Sequence, residues 1–150
     1  ILRIGVRAKR DHGFRQLKRK QDKKVNQAIR VGEKIAKTKQ IAKVPEMEVD
    51  ELIRLAILQH NTTHCTSVTK ENVTLRFLYK LCVNYLRHEC TKYDDHIRDI
   101  ENETFSRTAE AVAIIKMRRR ILRKIADTYP FLEEECDSQI RQYVVQETYI

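Results

Sequence analysis

The sequence predicts an all-α fold: a long basic N-terminal helical arm followed by a compact helical body, about six helices in all. Three observations predict it. Chain breakers are scarce, with 3 Gly and 2 Pro in 150 residues, which favours long helices over many short strands joined by turns. Apolar residues recur three and four positions apart in one segment after another, the spacing that lines one face of a helix. No segment alternates apolar with polar residues as a half-buried strand does. A chain of this length buries a core without disulfides or metals to staple it.

The elements follow in order. Residues 1–13 lack a clear period and are expected to end at Gly13. From Phe14 to about Lys43 there is no Pro, and Phe14, Leu17, Val25, Ala28, Gly32, Ile35 and Ala36 project onto one narrow stripe. Arg15, Lys18, Arg19, Lys20, Lys23 and Lys24 cover the rest of the circumference. Such a stripe is too thin for a helix inside a core, so this helix is expected to lie across the body or a partner, cations outward. Pro45 and the acidic run behind it mark a boundary, because Pro fits a first helical turn and carboxylates suit the positive helix end. The arm is therefore 1–45 and the body 46–150.

In the body, Val49, Leu52, Ile53, Ala56 and Ile57 predict a helix over about 47–59. "HNTTHCTSVT" reads as a loop. Thr69 is expected to cap a helix over 70–90, with Leu75, Leu78, Cys82, Tyr85 and Leu86 on its buried face. Thr91-Lys-Tyr-Asp94 resembles a capping box and predicts a short helix over 92–101. Ser106 caps a helix over 107–128 whose apolar arc is Ala111, Ile114, Ile121, Leu122 and Ile125. Pro130 interrupts, and a last helix runs over 131–147 with Glu133, Glu134 and Glu135 in its first turn.

Charge is distributed unevenly. Residues 1–45 hold 15 Lys/Arg against 3 Asp/Glu, while residues 46–150 hold 15 against 18, so a strongly basic front precedes a slightly acidic body. That asymmetry predicts a polyanion partner for the arm. The arm's one aromatic, Phe14, sits on the apolar stripe, which favours contact with a phosphate backbone over base stacking. A second basic patch, "KMRRRILRK", places Lys116, Arg120, Arg123 and Lys124 on one face of the 107–128 helix, with Arg119 at its flank. Sequence leaves open whether the two patches share a side of the molecule.

No apolar run approaches the ~18 residues of a membrane span, so no membrane partner is expected. Cys65, Cys82, Cys90 and Cys136 are expected to be reduced thiols. With Ile at position 1 and no secretory leader legible, the chain is expected to start upstream and to be cytoplasmic. The Asn-x-Thr sequons at Asn61, Asn72 and Asn102 are then chance matches.

"RHECTKYDDH", residues 87–96, concentrates chemistry: two His, a Cys, a Tyr and several carboxylates. If one helix ran through it, His88 and Asp95 would share a face at i, i+7 and suit general acid–base work. His60, His64 and Cys65, with His88 and Cys90, are acceptable zinc donors, but no C-x2-C pair accompanies them. Thr91 and Asp94 argue instead for a helix junction with one ion pair. Neither metal nor cofactor is expected. Arg87-His88-x-x-Thr91-x-Tyr93-Asp94 resembles the R-H-x-x-T-x-Y-D motif of a bacterial domain family of unknown function, over residues 83–125. The resemblance implies no reaction.

The expected function is thus non-catalytic: a nucleic-acid-binding or accessory protein, for DNA or RNA and with room for other protein chains in the complex. Its expected contacts are Arg15, Lys18, Arg19, Lys20, Lys23, Lys24, Lys116, Arg119, Arg120, Arg123 and Lys124. The alternatives are an enzyme, with or without a metal, using His88 with Asp94 or Asp95, and a helical module docking on an acidic protein.

Overall fold

The computed structural model describes residues 2–39, 43–64, 67–104 and 106–148, with side chains described from Gly13 to Val145 within those ranges. Six α-helices follow one another: α1 Leu2–Thr38, α2 Val49–Thr63, α3 Leu75–Tyr85, α4 Tyr93–Glu103, α5 Arg107–Thr128 and α6 Glu133–Thr148. A π-turn, Leu86–Cys90, extends α3, and a 3-10 turn, Pro130–Leu132, leads into α6. There is no strand among the described residues.

α5 is the central element. α1, α4, α6 and both short turns pack on it, while α2 reaches the assembly through α3. Ala109, Val112, Ala113, Ile115, Met117, Ile121, Leu122 and Ile125 are all buried, nearly encircling the helix. This corrects the expected arc: Ala111 and Ile114, read as part of it, are only half-buried, because several neighbours cover α5 rather than one. Leu75, expected on the buried face of α3, is 62% exposed, and Leu81 and Val83 are buried with Leu78 and Cys82.

Boundaries differ where local signals compete. α1 does not begin after Gly13 but runs through it, since Lys, Arg, Gln and Leu around it are good helix formers and one Gly costs only about 1 kcal/mol. It stops at Thr38, short of Lys43. The cap of α3 lies five residues after the expected one: Thr69 N–H donates to Asn72 Oδ1 (2.8 Å) in a turn, and Thr74 caps instead, its hydroxyl accepting from Phe77 N–H at 3.3 Å. Ser106 caps α5 as expected, accepting from Ala109 N–H at 3.3 Å. Cys82, Cys90 and Cys136 are free thiols, and Cys65 lies outside the described residues. Burial pushes the Cys82 and Cys136 thiols up to about 12. No helix of the described residues is long and apolar enough to cross a membrane.

The arm is attached by its C-terminal third. Residues 13–27 are exposed on every face of α1, whereas Gly32 and Ala36 are buried against α5 and Val44 joins the same core. At Gly32 the helices approach so closely that a Cβ there would collide with the Ala109 carbonyl oxygen and lie 2.9 Å from Val112 Cβ. Arg120 then closes the joint. Its guanidinium donates to the Ala36 carbonyl and to the Lys39 carbonyl (3.3 Å), satisfying oxygens that the end of α1 leaves without partners. Lys39 pairs with Glu103 at 2.5 Å, tying the same end to α4. The segment behind it is held by Tyr129, whose hydroxyl donates to Pro45 O (2.6 Å) and accepts from Met47 N–H (3.0 Å).

Gly13 and Gly32 of α1 should therefore respond oppositely to alanine. Gly13→Ala meets nothing within 4 Å and should raise helicity by up to about 1 kcal/mol of helix stability. Gly32→Ala should lower the melting temperature, overpacking at the joint costing about 1–3 kcal/mol against that same helix gain. Circular dichroism and thermal melts of both variants check this; a stabilised Gly32→Ala protein would show that the joint is looser than its geometry.

Candidate nucleic-acid interface

The exposed part of α1 is organised. At 100° per residue, Arg15, Arg19, Lys23, Asn26 and Arg30 fall within an arc of about 80°, the consequence of spacings of four, four, three and four. All five are exposed. Lys37, also exposed, continues the line at the helix end. Lys18 and Lys20 stand about 100° to either side of it, and Lys24 lies beyond Lys20 towards the apolar stripe. The N-terminal part of that stripe, with Phe14 70% and Leu17 69% exposed, is not covered by the body, whereas its other end, Gly32 and Ala36, is buried on α5.

At the foot of the line, α1 and α5 form a cleft of about 460 Å³ lined by Glu33, Ala36, Lys37, Lys116, Arg119, Arg120 and Arg123. Lys37, at the foot of the arm, and the second patch meet in this cleft, while none of Arg15, Lys18, Arg19, Lys20, Lys23 and Lys24 lines it. They meet because Gly32 lets α1 lie close on α5, which sets Lys37 opposite Lys116 and Arg123. Burial on α5 explains the cation spacing, since Met117, Ile121 and Leu122 occupy the core side and leave Lys116, Arg119 and Arg123 for the rim. Arg120 belongs to the wall of the cleft but is engaged with the α1 carbonyls. Lys124 is exposed and does not line it. Asn26, Arg30 and Lys37 were not singled out from the sequence; their four-and-three spacing from Arg15 was the signal that would have found them.

The 87–96 stretch is a junction held by side-chain contacts of its own, although Arg87 Nε and both ring nitrogens of His96 are buried without a hydrogen-bond partner among the described residues. Thr91 adopts an extended backbone and ends the π-turn, so the expected break is there. Its side chain does not cap α4, whose first residue has no side-chain cap; the buried Thr91 hydroxyl donates back to the Arg87 carbonyl. Arg87 donates to Gln139 Oε1 (3.2 Å) and to Tyr143 hydroxyl (3.1 Å), and its guanidinium stacks over Tyr93 at 5.2 Å. Arg118 donates to the Tyr93 hydroxyl at 2.5 Å. Burial raises the Tyr93 hydroxyl's pKa although both arginines oppose it. His88 Nδ1 meets Asp94 Oδ1 at 3.1 Å, and its Nε2 lies 3.4 Å from Arg87 Nη2. Asp95 is not brought to His88; it pairs with Arg98 at 3.9 Å. All five residues of the R-H-x-x-T-x-Y-D pattern thus interact with one another or with α5 and α6.

His60, His64 and His88 line one pocket of about 400 Å³ together with Glu89 and Asp94, a convergence that sequence spacing did not disclose. The His60 and His64 rings stack at 4.3 Å, and burial, then His64, lowers the His60 pKa. Stacked rings do not aim their nitrogens at a common ion, and no group of three His, Cys, Asp or Glu among the described residues is arranged to hold a metal.

No family model matches the chain, and neither a curated protein nor a solved structure matches it.

Two substitutions probe the junction. Thr91→Ala should cost about 1 kcal/mol in denaturant melts, through loss of a hydroxyl partner to the Arg87 carbonyl rather than loss of a helix cap. His88→Gln removes an exposed contact with Asp94 and should change stability by less than about 1 kcal/mol. It should leave polyanion affinity within about a factor of ten, roughly 1.4 kcal/mol; a larger fall would place the junction in the binding surface.

Proposed function

We propose that this protein is a non-catalytic nucleic-acid-binding protein that grips the phosphate backbone with α1 and the adjoining rim of α5. One observation carries the reading: the cation line of α1, Arg15 to Lys37, ends in a cleft walled by Lys116, Arg119 and Arg123. Cations gathered along one track neutralise consecutive phosphates and release their counterions, which drives binding without requiring a base sequence. Arg120 serves this surface indirectly, by holding the end of α1 in place. Lys18, Lys20 and Lys24 add charge on the sides of the helix, and Lys124 adds it beyond the cleft.

A salt titration tests the reading. With about six cations on phosphates, log K for duplex DNA should fall against log[salt] with a slope near −5. A flat response would remove the proposal. Deleting residues 1–27 should abolish binding while the remainder still melts cooperatively, because Gly32, Ala36 and the Arg120 contacts are retained. Undiminished affinity in that truncated chain would remove α1 from the interface.

One observation favours a second reading, an enzyme: the His88–Asp94 contact at the edge of the 400 Å³ histidine pocket. Against it, the Arg87 guanidinium stands at the other ring nitrogen, where a general base would need open space.

A further inference from the structure

The exposed helix carries a narrower assignment than polyanion contact. Three features bear on it. First, residues 13–27 of α1 are exposed all round, so about 20 Å of helix is free to enter a groove. An α-helix with its side chains is 10–12 Å across, and the major groove of B-form DNA is about 12 Å wide. The major groove of A-form RNA is too narrow for it, and the RNA minor groove is wide and shallow. Single strands are held on aromatic platforms, yet the sole aromatic in this stretch, Phe14, lies on the face opposite the cation line.

Second, the side chains on that line are of the kinds that read base edges. Arg and Lys reach guanine O6 and N7, and Asn pairs with adenine N6 and N7. Arg15, Arg19, Lys23, Asn26 and Arg30 provide five of them in one row. Third, the row has a lysine on each flank, Lys18 and Lys20, about 100° away on either side, where the two phosphate walls of a groove would stand. Asp22, beside Lys18, is the one carboxylate between residues 13 and 30; it repels phosphate there and accepts from a cytosine amino group.

We propose that α1 enters the major groove of double-stranded DNA, with Arg15, Arg19, Lys23, Asn26 and Arg30 facing base edges and Lys18 and Lys20 facing phosphates. Lys37 and the α5 rim then take the backbone where the duplex leaves the helix. This assignment rests on the polyanion reading and adds base preference to it.

The test uses the full chain at fixed salt with three probes of one sequence, about two helical turns long: a DNA duplex, an RNA duplex and a DNA single strand. The DNA duplex should bind about tenfold or more tightly than either of the others. Equal or tighter binding of the RNA duplex or the single strand overturns the groove assignment and leaves the polyanion reading standing. Absence of salt-dependent binding to all three removes both. Selection from randomised DNA duplexes should then yield a preferred base pattern. Arg19→Ala and Asn26→Ala, which keep a good helix former in α1, should each relax the preference at one position by about tenfold. Lys20→Ala should weaken all sequences alike and reduce the salt slope by about 1. No enriched pattern, or an Asn26→Ala protein that behaves like Lys20→Ala, overturns base contact by the row.

Discussion

Everything in this molecule depends on how closely α1 lies on α5. A side chain at position 32 would collide with the backbone of α5 at Ala109, so the residue there has to be Gly for the two axes to come this near. Closeness has two consequences. It buries Ala36 and, through the segment that follows, Val44, extending the core beyond the body the sequence suggests. It also brings the end of α1 within reach of Arg120, whose guanidinium satisfies carbonyls that helix geometry leaves open. Packing and hydrogen bonding at the joint are therefore coupled: without the close approach, Arg120 has no carbonyls to reach.

α5 serves two purposes at once, which its composition makes possible. Its apolar residues are numerous enough to face α1, α4 and α6, while its basic residues from Lys116 to Lys124 are half-buried or exposed at the edges of those contacts. Lys116, Arg119 and Arg123 line the cleft on the α1 side, while Arg118 faces another side of α5 and lies over the Tyr93 and Tyr143 rings. Three of these cations thus share one side of the helix and Arg118 takes another, as 100° steps around one helix dictate. Rigidity follows for the rim of the cleft, because the helix that carries it is also the centre of the core.

The junction at 87–96 shows why a dense cluster of reactive residue types is a weak sign of chemistry. Arg87, Thr91, Tyr93 and Arg118 hold a π-turn against α5 and α6 through a guanidinium over the Tyr93 ring and hydroxyl partners. A guanidinium over an aromatic ring contributes attraction while leaving its N–H groups for other acceptors, here Gln139 and Tyr143. Thr91 was legible as the place where the helix breaks, because a hydroxyl and a carboxylate three residues on is a local signal. Its partner was not legible, since the Arg87 carbonyl competes with the α4 amides for one hydroxyl, and only the turn geometry decides between them.

What the sequence by itself determined is local. The helices over 107–128 and 131–147, the Ser106 cap and the charge excess of the arm all follow from residues within a turn or two of one another. What only the tertiary structure decided involves partners far apart in the chain. Arg120 and Ala36 are 84 positions apart, as are Tyr129 and Pro45, and nothing in their spacing announces either pair. The same holds for the meeting of Lys37 with Lys116 and Arg123, and of His60 and His64 with His88. The physical reason is that helical periodicity is a property of the backbone, repeated every 3.6 residues whatever surrounds it, whereas the side of the molecule a face ends on is set by which helices pack and how closely.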